Sequence, residues 1–425
     1  MGWANQAPDP WARYHPRVLA LRVLFLLAGA ILGVFYPFLS AILAERGFGP
    51  AEIGLTAALA SLGFMLSVPV WGHLADVVIG RVATLRVGVI GSTAVLFGLF
   101  VGFPPILVVG LVVAYAAFEA TISPLTDALA VNALGRSPRA YARVRLLSSL
   151  GFAGTSILAG RLYNETGFWP APLLVSLSAI GMVVALRWVP DVARFRPAAT
   201  TDPVRAAIVA RRGGSFMLVL RTQPRLRGVL LGLGLVHIGI LAGFTFLALR
   251  LLDLGGQPSD VALSAGLSAV AEIPAMAMIP RVVRRTGTRA LLAGGMILYA
   301  AALVSWAFLG DPSLIVATRL VSGVAFAAIT IAAVMTIATL LPSELQATGQ
   351  GLYQTVGFGA AAVIANALGG VVFGIGGAMP LFLGSAVLAL VGAAVIWRAV
   401  APPASGSPGD HRSSCSPVAS SRLTF

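Results

Sequence analysis

The chain has 425 residues, 58% of them hydrophobic and only 10% charged, with a formal net charge of +14. Soluble domains carry roughly 25% charged residues, so this composition excludes a water-soluble globule and implies a bilayer as solvent. The basic residues are all Arg, with no Lys; placed in loops they mark membrane topology, and no nucleic-acid partner is expected.

In lipid a backbone satisfies its own hydrogen bonds, so each long apolar run is read as a helix of about 20 residues. Trp11 to Arg22 carries Arg13, Arg17 and Arg22 and leads straight into a full span, so no cleavable signal peptide is expected. Six helices follow near 18–43, 51–75, 83–102, 106–133, 145–166 and 169–188, and the 48 glycines suit close approach between them. The stretch 189–224 holds Arg194, Arg196, Arg205, Arg211, Arg212 and Arg221 and reads as a cytoplasmic linker. Six more helices fall near 226–251, 260–280, 290–309, 313–341, 347–372 and 379–398. The expected architecture is therefore an all-α polytopic membrane protein of about 12 transmembrane helices. They form two pseudo-symmetric six-helix bundles, 1–188 and 225–401, followed by a Ser/Pro/Gly-rich tail at 402–425 expected to be disordered.

Loops after the even-numbered helices carry Arg81 and Arg86, then Arg136, Arg139, Arg143 and Arg145, then the linker cluster, then Arg281, Arg284, Arg285 and Arg289. Alternate loops, such as Phe103-Pro104-Pro105 and Gly310-Asp311-Pro312, are nearly bare. Positive loops stay on the cytoplasmic side, so both termini are expected there, in a bacterial-type cytoplasmic membrane. The halves also echo each other. Leu150-Gly151-Phe152 answers Val356-Gly357-Phe358, and the Arg-rich close of the eighth helix answers that of the second, at an offset of about 206 residues.

The segment Gly72-His73-Leu74-Ala75-Asp76, followed by Gly80-Arg81, resembles the signature between helices two and three of the major facilitator superfamily. Val77 replaces the usual basic residue and Gly80 comes one position late. The resemblance implies a conformational switch at Gly72, Asp76, Gly80 and Arg81, echoed by Arg285, Gly287 and Arg289. The run Tyr141 to Ala153, with Pro124 and Asp127 upstream, resembles the lactose permease and phenylpropionate permease branch. That likeness implies substrate contacts from Asp127, Arg145 and Phe152, although Arg145 also reads as one more loop arginine. Glu272-Ile273-Pro274 resembles an acid-x-Pro element of the same branch. The helix-ten His and Glu used for proton movement in lactose permease are replaced by Ser322 and Ala325, so coupling has to use other acids.

Glu119 lies about 13 residues into helix four and Glu272 about 12 into helix eight, which at 1.5 Å per residue puts both near mid-bilayer. A charge at that depth is costly unless partnered or wet, and marks a transport pathway by default. Glu119, Glu272 and Asp127 are the proton-coupling candidates, the alternative being polar clamps between helices. Glu119 also joins the substrate-contact candidates. Arg319, six residues into helix ten, pairs with an acid, neutralises an anionic substrate or reaches back to the interface. Tyr353 and Gln354, with Asn366, read as polar lining, and His237 as packed or proton-carrying.

No enzyme signature is present: a Gly-x-x-x-x-Gly-Lys loop is impossible without Lys, and the four histidines make no HExxH site. No cofactor, metal site or disulfide is expected, and the single Cys415 lies in the tail. The leading reading is a monomeric secondary transporter that moves a small organic solute by alternating access, as a proton symporter. Drug or metabolite efflux by proton antiport is the second reading. A non-transporting receptor or lipid-modifying enzyme is the third.

Overall fold

The structure is a computed structural model that describes residues 16–134, 138–189, 221, 223–342 and 345–400. Most of the 189–224 linker, Arg136 and the 402–425 tail lie outside the described residues. Regular structure within them is entirely helical.

Among the described residues there are twelve rods. The first half has α1 (Val18–Glu45), α2 (Pro50–Val78), α3 (Arg81–Leu99), α4 (Pro105–Ala133), α5 (Pro138–Thr166) and α6 (Ala171–Ala185). The second has α7 (Pro224–Asp253), α8 (258–286), α9 (288–308), α10 (Pro312–Leu340), α11 (346–376) and α12 (Ala378–Ala399). Nine described helices are long and apolar enough to cross a membrane. One of them, Pro258–Phe308, runs 51 residues. At 1.5 Å per residue it far exceeds a bilayer, and Gly287 at φ +78° folds it into α8 and α9. The boundary expected as a loop over 281–289 is thus a one-residue break. Helix α5 is long enough to span but carries Arg143, Arg145, Arg161 and Glu165; it starts seven residues before the sequence places it.

Local chemistry explains the ends. Pro50, Pro105, Pro224, Pro258 and Pro312 start their helices, where a missing N–H costs nothing. The Gly49 N–H donates to Glu52 Oε2 (2.8 Å), and 208 residues on the Gln257 N–H donates to Asp260 Oδ2 (2.7 Å), so α2 and α8 open with the same capping box. The positive-φ glycines form three pairs, Gly47 with Gly255, Gly80 with Gly287 and Gly167 with Gly377. Each pair is separated by roughly half the chain, as a parallel duplication requires.

The exterior is apolar: Ile375 is 85% exposed and Leu177 70%, on a surface that faces acyl chains. Inside each half, backbone approaches backbone through small residues. A Cβ on Gly239 would lie 2.8 Å from the Ser385 carbonyl oxygen of α12, for example. The halves meet at the end that carries the bare loops. A Cβ on Gly54 of α2 would come 2.6 Å from Gly370 Cα of α11, and one on Gly160 of α5 would come 3.0 Å from the Pro258 carbonyl oxygen. Inter-half hydrogen bonds among the described residues lie on that side of mid-depth: Ser156 to the Ala262 carbonyl (3.4 Å), Asn164 Nδ2 to Ser259 Oγ (3.0 Å), the Ser259 N–H to Asn164 Oδ1 (2.9 Å) and Asn366 Nδ2 to Ser61 Oγ (3.2 Å). Beyond them, toward the Arg-rich end, α2 diverges from α11 and α5 from α8; of two central cavities the smaller fills the α5–α8 gap, and the larger runs along α2 from Pro69 back to Ile53.

Candidate functional site

The larger cavity, about 790 Å³, lies between α1, α2 and α4 of the first half and α7 and α11 of the second. Its walls are mostly apolar, with Tyr36, Ser40, Ser61, Tyr115, Ser123, Thr245, Gln354, Thr355 and Asn366 as polar points and no charged residue. The smaller, about 360 Å³, lies between α5 and the α7, α8 and α10 helices, and holds Arg145, Glu272, Tyr299 and Arg319. Ser123, Leu241, Phe244 and Phe358 line both, so the two are adjoining chambers of one central site.

Proline places the first acid. Pro124 has no N–H for the Ala120 carbonyl and its ring crowds that oxygen. Helix α4 therefore breaks after Glu119, and the Thr121 N–H turns back to the Phe118 carbonyl at 3.2 Å. Pro37 likewise forces a 3₁₀ turn over Tyr36–Phe38 in α1. The two breaks face each other, and the Tyr36 hydroxyl donates to Glu119 Oε2 at 3.0 Å. Glu119 is 4% exposed and sits behind Tyr36, which forms part of the larger cavity's wall. The neighbouring Tyr115 hydroxyl is buried without a hydrogen-bond partner.

The second half holds a different arrangement. Arg319 is buried; its Nε donates to the Ser264 carbonyl (3.2 Å), its Nη1 to Ser322 Oγ (2.9 Å), and its guanidinium lies 5.2 Å from the Trp306 ring centre. No described carboxylate lies within 4.0 Å of it. Glu272 shares the chamber, close enough for Arg319 to act on its charge, yet has no hydrogen bond or ion pair among the described residues.

Of the remaining sequence candidates, Arg145 stands two turns inside α5 rather than in a loop, with Nη1 4.0 Å from Asp127 Oδ1. The pair is partly exposed and loose; Phe152 joins Arg145 in the smaller chamber, whereas Asp127 lines neither. Gln354 lines the larger chamber. Tyr353 lines neither of the two: it is fully buried, its hydroxyl donating to His237 Nε2 at 3.3 Å. His237 Nδ1 in turn donates to the Leu233 carbonyl (2.7 Å), and its ring packs on Phe358, so this histidine is held by packing.

The residues expected from the sequence to form a switch lie at the Arg-rich end. Arg81 grips Asp76 Oδ1 through Nε (2.9 Å) and Nη2 (2.8 Å), just past the Gly80 break at φ +89°. A Cβ on Gly72 would meet open space. In the second half Arg285 is exposed, while Arg289 lies 3.9 Å over the Trp397 ring of α12 and donates to its carbonyl. Sequence reasoning missed Tyr36 and Tyr299, whose signals were Pro37 and the facing Arg319. It also missed that Asn366, accepting from Thr245 (2.6 Å) and donating to Ser61, ties the halves together.

With this geometry in place, the profile of the MFS_1 like family matches residues 18–384. The chain belongs to this family. It is a multi-pass membrane transporter of the major facilitator superfamily, and not an enzyme. Similar proteins include the maltose permease of Geobacillus stearothermophilus, 28% identical over 344 residues that cover 80% of this chain and 83% of that one. The Escherichia coli (strain K12) protein named "Probable 3-phenylpropionic acid transporter" is 26% identical over 351 residues, 80% of this chain and 87% of that one. Among solved structures, a mutant form of the nucleoside transporter NupG superposes with a TM-score of 0.76 at 15% identity, covering 90% of this chain and 99% of that one. At that identity the likeness shows the major facilitator fold alone.

Proposed function

We propose that the protein is a proton symporter for a small organic solute. It works by alternating access about the two-chambered site, with both termini on the cytoplasmic side. The carrying observation is that each half brings one membrane-depth glutamate to the central site between the halves, Glu272 in the lining of the smaller chamber and Glu119 behind the Tyr36 wall of the larger. With the Arg-rich end cytoplasmic, the conformation described is inward-open. Rocking the halves about the site then closes the Arg-rich end and opens the other. Chambers of about 790 and 360 Å³ fall in the range of small-molecule sites. The names of the relatives (a maltose permease, a 3-phenylpropionic acid transporter) point to small organic cargo as well.

Proteoliposomes enclosing a pH dye test this with a solute panel and three proteins: wild type, Glu119→Gln and Glu272→Gln. Solute-driven acidification is expected in wild type. At least one Gln variant loses it tenfold or more while keeping counterflow exchange. Equal signals in all three remove both acids from the mechanism. The mostly apolar larger chamber favours a second reading, efflux of a hydrophobic compound by proton antiport, which the same vesicles reveal as alkalinisation under the same inward solute gradient.

A further inference from the structure

The smaller chamber holds a buried cation whose hydrogen bonds go only to neutral acceptors. Arg319 is 6% exposed, and the two acceptors it binds, the Ser264 carbonyl and Ser322 Oγ, are both neutral. A guanidinium has five N–H donors in a planar fork that matches a carboxylate two-on-two, and in apolar surroundings it needs a counter-charge or water. Glu272 is the acid from the neighbouring helix that shares its chamber, and the two are not in contact. The groups facing them are Tyr299 of α9 and Arg145 of α5; α7 contributes only Ile240, Leu241 and Phe244, and α4 contributes Ser123. Arg145 already has Asp127 within 4.0 Å. When Glu272 carries a proton, Arg319 is left with no counter-charge in this chamber, and a negative group fits beside it.

We infer that the smaller chamber is a carboxylate subsite, in which Arg319 takes the anionic group of an amphipathic organic acid and protonated Glu272 donates a hydrogen bond to it. The apolar remainder of the acid passes Phe244 and Phe358, which line both chambers, into the larger one. A neutral sugar is a poorer match, because it brings no counter-charge to Arg319. This assignment rests on the transport reading above and names its substrate class. It also supplies a coupling device: ionised Glu272 and the substrate carboxylate compete for one guanidinium, so an anion enters together with a proton. Binding then weakens as pH rises and Glu272 loses its proton, by up to about tenfold per unit.

The test uses purified full-length protein and matched probes: 3-phenylpropionate and hexanoate, their primary amides, and maltose and uridine. Thermal stabilisation and counterflow in proteoliposomes are the readouts. At least one carboxylate is expected to outrank its amide by tenfold or more. Arg319→Gln abolishes that preference, Arg319→Lys keeps part of it, and Glu272→Gln flattens the pH dependence. Failure of every carboxylate to outrank its amide overturns the assignment, as does a preference that survives Arg319→Gln. Should Arg319→Gln fail to fold, the wild-type comparison and the Glu272→Gln pH profile decide. A carboxylate preference without proton movement upholds the subsite and removes the proton-linked reading. Proton-coupled movement of maltose or uridine with no carboxylate preference does the reverse.

Discussion

Tyr36 and Glu119 meet because each stands at a break that a proline makes in its helix, Pro37 next to Tyr36 and Pro124 five residues past Glu119. A carboxyl at mid-span was legible in the sequence, since any acid thirteen residues into an apolar run stands out. Its partner was not: a tyrosine among apolar residues carries no label until a second helix is laid against it. The same limit hid the Arg319–Glu272 relation, in which each residue was visible alone but their shared chamber was not. Polar contacts between membrane helices are worth about 0.6 kcal/mol on average and up to about 1.7 kcal/mol. A double-mutant cycle of Tyr36→Phe and Glu119→Met, read by thermal unfolding in detergent, is expected to give a coupling within that span. Strict additivity would mean that the 3.0 Å contact contributes nothing beyond packing.

At the level of elements, most rods were readable from apolar runs bounded by Arg-rich or Pro-rich breaks. The boundaries that slipped have physical causes. Helix α5 began early because its first two turns, with Arg143 and Arg145, are polar enough to pass for loop, and 281–286 is helical for all its arginines. What separates α2 from α3 and α8 from α9 is chiefly backbone, at Gly80 (φ 89°, ψ 161°) and Gly287 (φ 78°, ψ 164°). That region is essentially closed to residues with a Cβ. Gly80→Ala and Gly287→Ala are each expected to lower stability by about 1–3 kcal/mol, seen as a drop in melting temperature. Gly72 is a contrast, lying within a helix with open space beside it. Gly72→Ala is expected to raise stability by about 0.5–1 kcal/mol while slowing transport, if the opposite conformation brings a neighbour against that face. An unchanged transport rate would remove Gly72 from the switch.

Across the whole molecule, duplication was visible from two short echoes, and the paired glycines and capping boxes give it a structural form. Which end stays shut was not legible, because an apolar seam looks like any other helix contact in a linear text. The seam predicts its own mutant. A side chain at Gly54 has Gly370 Cα 2.6 Å away, and overpacking of this kind costs about 1–3 kcal/mol. Gly54→Leu is therefore expected to shift the population toward the opposite opening by roughly five- to 150-fold. Thr245→Cys in a Cys415→Ser background reports this through its labelling rate with an impermeant maleimide added from outside. An unchanged rate would mean that the seam does not set the resting state.

The closed end is held by glycine faces in van der Waals touch and a handful of hydrogen bonds. Individual atom contacts there are worth only about 0.1–0.2 kcal/mol. They add up over the length of the seam, so the ease of parting this doorway is set by how many glycine faces touch rather than by any one bond. Lengthening the seam by a turn of helix would make it slower to open.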